Sequence, residues 1–364
     1  MMAIDDIWHY PRTDLAQQIV GMFEIGLSNA LVFFAPRRMG KTEFLLKDIT
    51  PLAEKNNWLV FYFSFLETTI YSRSEFTRAL LLFAEQSKKY KSTKALFSRM
   101  TKISGEMGGI GGSIEFDTDS PILDIKEIFK TLTKKQKLLL LMDEIQSLAS
   151  DKSNTQFVSS LRTALDMYKD DVKVIFTGSS QEGLRCMFSQ AKAPFFHFGQ
   201  NLPFPGFDQQ FTHHLARVFQ LATGREIDKE ALWKVFNELQ CIPQLARSLV
   251  ERMVLYPNLA LIEAKEGLLL EVYNARAYVE IWAKCSAFEK LLLCVISEDG
   301  TLLFSEKTRG DLANRLGIPE LSLPTMQSTL RVLQRKSLIG RFPERGSGYF
   351  IEDPNLKSWI RDQL

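Results

Sequence analysis

Lys41 and Thr42 follow Gly40 at the end of the stretch Ala35-Pro36-Arg37-Arg38-Met39-Gly40-Lys41-Thr42. An ammonium and a hydroxyl beside a glycine, where backbone can come close to a ligand, are the groups that hold a polyphosphate. Backbone N–H groups of such a loop point at phosphate oxygens, and the helix that follows adds partial positive charge at its N-terminus. In this reading Lys41 reaches the β- and γ-phosphates of a nucleoside triphosphate and the Thr42 hydroxyl ligates Mg²⁺. Pro36, Arg37, Arg38, Met39, Gly40 and Glu43 are the neighbouring candidates for nucleotide contact. The pattern G-x-x-x-x-G-K-[ST] asks for glycine first. Ala35 stands there, small enough for close approach but without glycine's freedom at positive φ.

A second constellation is Asp143-Glu144, at the end of the apolar run Leu138 to Met142. A buried strand would deliver Asp143 to the edge of a sheet, where its carboxylate can hold Mg²⁺ directly or through water. Glu144 is then placed to orient or deprotonate an attacking water. A third run, Val172 to Phe176, ends in Thr177-Gly178-Ser179-Ser180. Parallel strands bring such polar tips to one edge. Ser179 there is a candidate sensor of the γ-phosphate. The same serines suit the N-cap of a helix over 181–187, and the two roles are compatible.

The elements that must position these groups follow from patterning. A lead-in helix is expected over 14–26, then strands over 30–34, 58–64, 137–142 and 172–176, with a fifth over 194–198 (Pro-Phe-Phe-His-Phe). Helices over 43–54, 74–91, 122–134 and 155–169 alternate with them, which is the signature of a parallel α/β sheet. The run Gly105 to Phe116, with five glycines between 105 and 112, reads as a flexible hairpin or loop. It is no dinucleotide fingerprint, since no strong strand precedes it and no amphipathic helix starts directly after it. Pro203 and Pro205 mark a boundary. Helices broken near Gly224, Pro243 and Pro257 fill the stretch to about 284. The last eighty or so residues then read as three helices (288–297, 309–316, 325–336) and a β-hairpin (338–342, 349–351), the winged-helix order. Three units result: an α/β P-loop core with its lead-in over 1–205, a helical unit over 206–284, which the resemblance described below implies is a lid, and a winged helix-turn-helix unit over 285–364.

Composition narrows the function classes. The 364 residues are 45 % hydrophobic and 24 % charged, ordinary values for a globular protein, and the net charge of +2 points to no global affinity for polyanions. Cys186, Cys241, Cys285 and Cys294 are widely spaced, which suggests neither a zinc site nor a disulfide scaffold. The adjacent pair His213-His214 would splay on a helix, so a solvated face is expected for it rather than a metal site. No apolar run approaches the eighteen or so residues of a membrane span. The acidic start of the chain lacks the basic and apolar regions of a signal peptide, so the expectation is a cytoplasmic protein with no membrane partner.

Taken together, these motifs resemble AAA+/STAND-type P-loop ATPases, in particular the archaeal-type ATPase family, over nearly the whole chain. Pro36-Arg37-Arg38-Met39-Gly40-Lys41-Thr42 resembles that family's "PRR-x-GKT" loop. Leu141-Met142-Asp143-Glu144-Ile145-Gln146 resembles its Walker B motif, and Thr177-Gly178-Ser179-Ser180 its sensor strand. Tyr10-Pro11-Arg12 sits where the family carries a nucleotide-contacting lead-in, which makes Tyr10 and Arg12 candidates. Cys241-Ile242-Pro243 is similar to the G-x-P motif of the lid, with cysteine replacing glycine; in relatives that proline, here Pro243, lies near the nucleotide. Arg247, one turn on, is a candidate lid arginine for the γ-phosphate. Tyr349-x-Ile351-x-Asp353-Pro354 and Trp359 resemble the family's C-terminal ending. The resemblance implies ATP, Mg²⁺, hydrolysis and an inserted-strand (ASCE) sheet of five parallel strands; the strand over 58–64, between the two motifs in sequence, is what such a sheet allows.

Residues 326–345 carry Arg331, Arg335, Lys336, Arg341 and Arg345 against Glu344 alone, a local net charge of +4. Arg331 and Arg335 share a helix face, and in a winged helix these positions meet the major groove and flanking phosphates of double-stranded DNA. Two readings follow. One is an ATPase that forms homo-oligomers and acts on DNA, with Arg185 as a candidate arginine finger. The other is a STAND-like slow switch whose conformational state is read by a protein effector.

Overall fold

The computed structural model describes residues 6–66, 72–87, 124–150, 152–189, 193–273, 276–298, 303–341 and 348–361. The glycine-rich run Gly105 to Phe116 and Arg345 lie outside these residues. Five strands, β1 (Ala30–Phe34), β2 (Leu59–Ser64), β3 (Leu138–Asp143), β4 (Val172–Gly178) and β5 (Gln200–Pro203), form one sheet in the order β2-β3-β4-β1-β5. Every pair is parallel. β3 and β4 are buried along their whole length, which is why they read as unbroken apolar runs rather than alternating ones.

Side chains of successive residues go to opposite faces of the sheet. Ala30 and Val32 of β1 with Leu138, Leu140 and Met142 of β3 enter one core. Leu31, Phe33, Leu139 and Leu141 enter the other. The second core is covered by α1 (Thr13–Glu24) and by α2, which runs on from the loop 35–40 as Lys41–Glu43, a wide turn Phe44–Ile49 and Thr50–Lys55. Pro51 offers no N–H to the preceding turn, and the helix widens to i→i+5 bonding before it. The first core is covered by α3 (Ser72–Gln86), α4 (Ile125–Leu132) and α5 (Thr155–Met167).

One expectation is corrected. The fifth strand is Gln200–Pro203, not 194–198. There the aromatic run turns instead: the Phe195 N–H bonds Met187 O, the Phe198 N–H bonds Phe195 O, and His197 has φ +55°. Phe195 is fully buried against Phe176 and Phe188, so these aromatics close the core under the sheet without pairing as a strand. The sheet has the expected inserted-strand arrangement: β4 lies between β1 and β3, and β2, which precedes β3 in sequence, lies at the sheet edge.

After β4 comes the short α6 (Gln181–Leu184), which continues as the wide turn Arg185–Ser189. Four helices then build a separate core: α7 (Gln209–Thr223), α8 (Lys229–Glu238), α9 (Pro243–Leu255) and α10 (Leu261–Tyr273). Asp208 and Asp228 cap α7 and α8, Gly224 ends α7 at φ +70°, and Pro243 opens α9 at its first turn. These are the ordinary start and stop signals of helices.

The C-terminal elements are α11 (Arg276–Ala283), α12 (Ala287–Ser297), α13 (Glu306–Leu316), α14 (Leu323–Arg335), the antiparallel pair β6 (Ile339–Arg341) and β7 (Tyr349–Ile351), and α15 (Pro354–Arg361). Met326, Leu330 and Leu333, spaced as one face of α14, are fully buried in this unit's core. Asp353 accepts the N–H groups of Asn355 and Leu356, so the Asp-Pro dipeptide starts α15. Trp359 of that helix packs on Trp282. All four cysteines are free. Among the described residues no helix is long and apolar enough to cross a membrane.

Phe176 in β4 touches Phe188, Phe195 and Phe198. Phe176→Ala should cost about 3–5 kcal/mol of folding stability, read as a lower midpoint in chemical denaturation. A loss below about 1 kcal/mol would show that the aromatic run after α6 does not support the sheet.

Candidate functional site

The carboxyl ends of β1, β3 and β4 lie side by side, and each delivers part of one site. At the end of β1 the Ala35 N–H donates to Gly178 O over 3.3 Å, so Ala35 prolongs the strand pairing with β4. This position needs no left-handed backbone, which is why alanine fits where the motif asks for glycine. The loop then turns through Arg38 at φ +69° and Gly40 at φ +83°. Only glycine adopts the second value without strain.

Lys41 is 5 % exposed. Its ammonium donates to Ala35 O at 2.7 Å and Pro36 O at 2.9 Å, closing the loop on itself. Burial pushes its pKa below the ordinary lysine value, against the pull of Glu144 and Asp143. Thr42, next along, donates its hydroxyl to Asp143 Oδ2 at 2.5 Å.

Asp143, 3 % exposed at the end of β3, gathers the other groups. Oδ2 also accepts from the Tyr62 hydroxyl of β2 at 3.1 Å. Oδ1 accepts from the Thr177 hydroxyl of β4 and from the Glu144 N–H. The Thr42 hydroxyl and the Asp143 carboxylate are hard oxygen donors, the kind that suits Mg²⁺, which takes few protein ligands and completes its shell with water and phosphate. Among the described residues no group of three or more His, Cys, Asp or Glu side chains converges as a metal site.

Glu144 has a left-handed backbone at φ +52°, which turns its side chain out of the strand line. Its Oε2 accepts from Ser179 Oγ at 2.7 Å and from the Gln146 amide. The two serines after β4 divide the roles expected of them. Ser179 faces Glu144, while Ser180 Oγ accepts the Gly183 N–H at 3.1 Å at the start of α6.

The helices after β5 form a second wall. Arg247 of α9 donates from Nη1 to both carboxylate oxygens of Glu43 at 2.9 Å and from Nη2 to Trp8 O at 2.8 Å. Burial alone would raise the Glu43 pKa, but hydrogen bonds from Arg247 and Lys47 outweigh it and hold that carboxyl below its ordinary value. Pro243 is buried at the first turn of α9. Cys241, two residues earlier, has φ +53°, a conformation that favours the glycine of the G-x-P motif.

Tyr10 packs edge-on against Phe207 and Phe211 and leans on His214. Arg12 lies 3.7 Å from the Phe207 ring centroid and donates to Pro205 O at 2.7 Å. Burial brings the Arg12 pKa down to about 10. These two residues join the segment before α1 to the start of the helical unit after β5. The His213-His214 pair is corrected from a solvated face. Both are half-buried, their Nε2 atoms lack partners among the described residues, and burial lowers the His214 pKa.

The remaining candidates lie apart. Arg185 is exposed in the wide turn after α6. Arg331 and Arg335 are exposed on α14. Lys336 donates to the buried Glu289 at 2.6 Å. The backbone of Arg341 pairs with the Gln181 side chain, N–H to Oε1 at 2.5 Å and C=O from Nε2 at 2.6 Å. Sequence reasoning singled out the hydroxyl tip of β4 but not the bond from Thr177 to Asp143, and it missed Tyr62 and Gln181 as site residues. Tyr62 is two residues before Ser64, the register partner of Asp143, and the period of two could have found it. Nothing local marks Gln181.

The sequence profile of the family described as "ATPase domain predominantly from Archaea" matches residues 12–237. No curated protein matches the sequence. Among solved structures, the chain is similar to the Walker-type ATPase of Pyrococcus abyssi, at 18 % identity and a TM-score of 0.64, with 98 % of this chain and 99 % of that one covered. It is also similar to the ORC2 protein of Aeropyrum pernix in its ADP form, at 14 % identity and a TM-score of 0.56, with 98 % and 97 % covered. At these identities the likeness is one of fold.

Lys41→Ala should abolish ATP binding measured by equilibrium titration, because it removes the cation enclosed by the loop. Thr42→Ala should weaken binding in the presence of Mg²⁺ and leave Mg²⁺-free binding unchanged. Unaltered affinity of the Lys41→Ala protein would move the phosphate site elsewhere.

Proposed function

Since the chain belongs to the ATPase family described as predominantly archaeal, we propose that it hydrolyses ATP with Mg²⁺ at the edge formed by β1, β3 and β4, and that nucleotide state is passed to DNA through a C-terminal winged helix. The observation that carries the catalytic part is the convergence of Lys41, Thr42, Asp143 and Glu144 from separate segments onto one sheet edge. In this reading residues 1–205 are the ATPase core, 206–284 the lid and 285–364 the winged helix.

The loop N–H groups and Lys41 hold the phosphates, as positioning and charge stabilisation dominate phosphoryl transfer. Thr42 and Asp143 would hold Mg²⁺, which when bound neutralises charge on the β- and γ-phosphates. Glu144 accepts the proton of the attacking water while Ser179 senses the γ-phosphate. Pro36, Arg37, Arg38, Met39, Gly40, Glu43, Tyr10, Arg12 and Pro243 complete the nucleotide site, and Arg247 is the lid cation. Arg185 serves as a finger toward a second copy if the protein assembles.

The C-terminal unit has a physical link to this site. Gln181, two residues after Ser179, grips the Arg341 backbone in both directions, as a neighbouring strand would. Ser180 Oγ lies 3.4 Å from Ser337 Oγ, and Phe350 leans on Phe34 at the end of β1. Gly340 permits the contact, since a Cβ there would collide with Gln181 and with the Phe350 ring. A change at Ser179 is thus two residues from the hairpin. DNA would meet the exposed Arg331 and Arg335, with Lys336 and Arg341 as further cations of the same unit; Arg345 is a candidate on sequence alone. The same docked hairpin favours a second reading, a slow switch whose released C-terminal unit is read by a protein effector.

Glu144→Gln should bind ATP but hydrolyse it about 10²–10⁴-fold more slowly, since an amide cannot take the water's proton. A wild-type rate removes Glu144 from the mechanism. Arg331→Ala with Arg335→Ala should weaken duplex DNA binding and reduce the log–log salt slope by roughly 0.9 per lost phosphate contact. Both side chains lie outside the core, so the fold should persist. No wild-type DNA binding at low salt, or unaltered affinity in the double variant, would leave the switch as the better reading.

A further inference from the structure

Gln146 has no place in the phosphate chemistry, yet the surrounding backbone is cut to fit it. It lies in the 3₁₀ turn Ile145–Ser150 that follows Glu144. A Cβ on Gly178 would stand 2.5 Å from Gln146 Oε1, and one on Gly183 would stand 2.6 Å from Gln146 Cβ. Both approaches are closer than such atoms pack, so glycine at both positions makes the room.

Inside this space Gln146 Nε2 donates to Glu144 Oε2 and lies 3.4 Å from Ser179 Oγ. A carboxylate only accepts, which fixes the amide nitrogen on the Glu144 side. The other end of the amide, Oε1, is buried and has no partner among the described residues. A residue that merely filled this space would do so at lower cost as an apolar side chain, because a buried acceptor without a donor is unfavourable. The cost is offset only if the bond to Glu144 matters.

Both donors, Gln146 and Ser179, fall on the same oxygen of Glu144. They come from two elements, the turn after β3 and the tip of β4. One hydroxyl alone would let the carboxylate swing about its last torsion; two donors from separate elements fix its plane.

We propose that Gln146 is a positioning residue for ATP hydrolysis, which with Ser179 holds Glu144 by Oε2 and leaves Oε1 for the attacking water. The proposal rests on Glu144 acting as the base.

The test uses the full-length chain with Gln146→Met, which keeps the volume, and Gln146→Ala, each alone and combined with Glu144→Gln. ATP affinity is measured at equilibrium, and kcat and KM in steady state. Gln146→Met should lower kcat about ten- to a hundredfold, part of what a positioned base contributes. KM and the ATP Kd should stay within about threefold, since ground-state binding is untouched. In the Glu144→Gln background the same change should cause no further loss, because the carboxylate it positions is gone. An unchanged kcat overturns the proposal, as does a raised KM with kcat kept, or an equal loss in both backgrounds. If Glu144→Gln is slow and Gln146→Met is not, the Gln146 role alone fails. If Glu144→Gln turns over like the wild type, the base assignment fails and takes this proposal with it.

Discussion

The Asp143 carboxylate is the joint on which this site depends. It is buried at the end of β3, and it accepts from Thr42 on the phosphate loop, Tyr62 on β2, Thr177 on β4 and the N–H of Glu144. Hydrogen bonds to a charged group contribute about 1.5–3 kcal/mol each, and a buried charge stripped of partners costs several. Those magnitudes make the arrangement close to all-or-none. The strands must lie in this register for Asp143 to be tolerated, and once they do, the hydroxyl and carboxylate that suit a hard cation are already together.

The other contacts fix what surrounds that joint. Lys41 is enclosed by its own loop through Ala35 O and Pro36 O, so the cation sits inside the turn rather than in solvent. Helix α9 reaches the helix after the loop from the other side through Arg247 and Glu43. The C-terminal hairpin reaches the tip of β4 through Gln181. The loop 35–40, the helices after β5 and the C-terminal hairpin therefore all make contact close to the carboxyl ends of β1, β3 and β4.

Much of this was legible in the sequence because period and motif agreed. The buried runs Leu138 to Met142 and Val172 to Phe176 could be little other than central parallel strands, and Gly40, Lys41, Thr42, Asp143 and Glu144 are placed by the strands that precede them. The aromatic run 194–198 misled, because β propensity reflects fit to a half-buried surface and these rings found that surface at a turn. The His213-His214 pair misled because the ring that packs on His214, Tyr10, lies about two hundred residues away in sequence. Gln181 was invisible for the same reason, and so was the meeting of Tyr62 and Thr177 on Asp143: these roles arise from strand order and from packing between units. The departures Ala35 and Cys241 became intelligible only from backbone angles, the first at a position that needs no glycine and the second at one that favours it.

If this sheet edge hydrolyses ATP with a cation held by Thr42 and Asp143, steady-state phosphate release from ATP by the purified wild-type chain should saturate with ATP, rise as free Mg²⁺ is titrated and stop when the Mg²⁺ is removed with a chelator. Absence of turnover at saturating ATP and Mg²⁺, or turnover indifferent to the chelator, would exclude that mechanism.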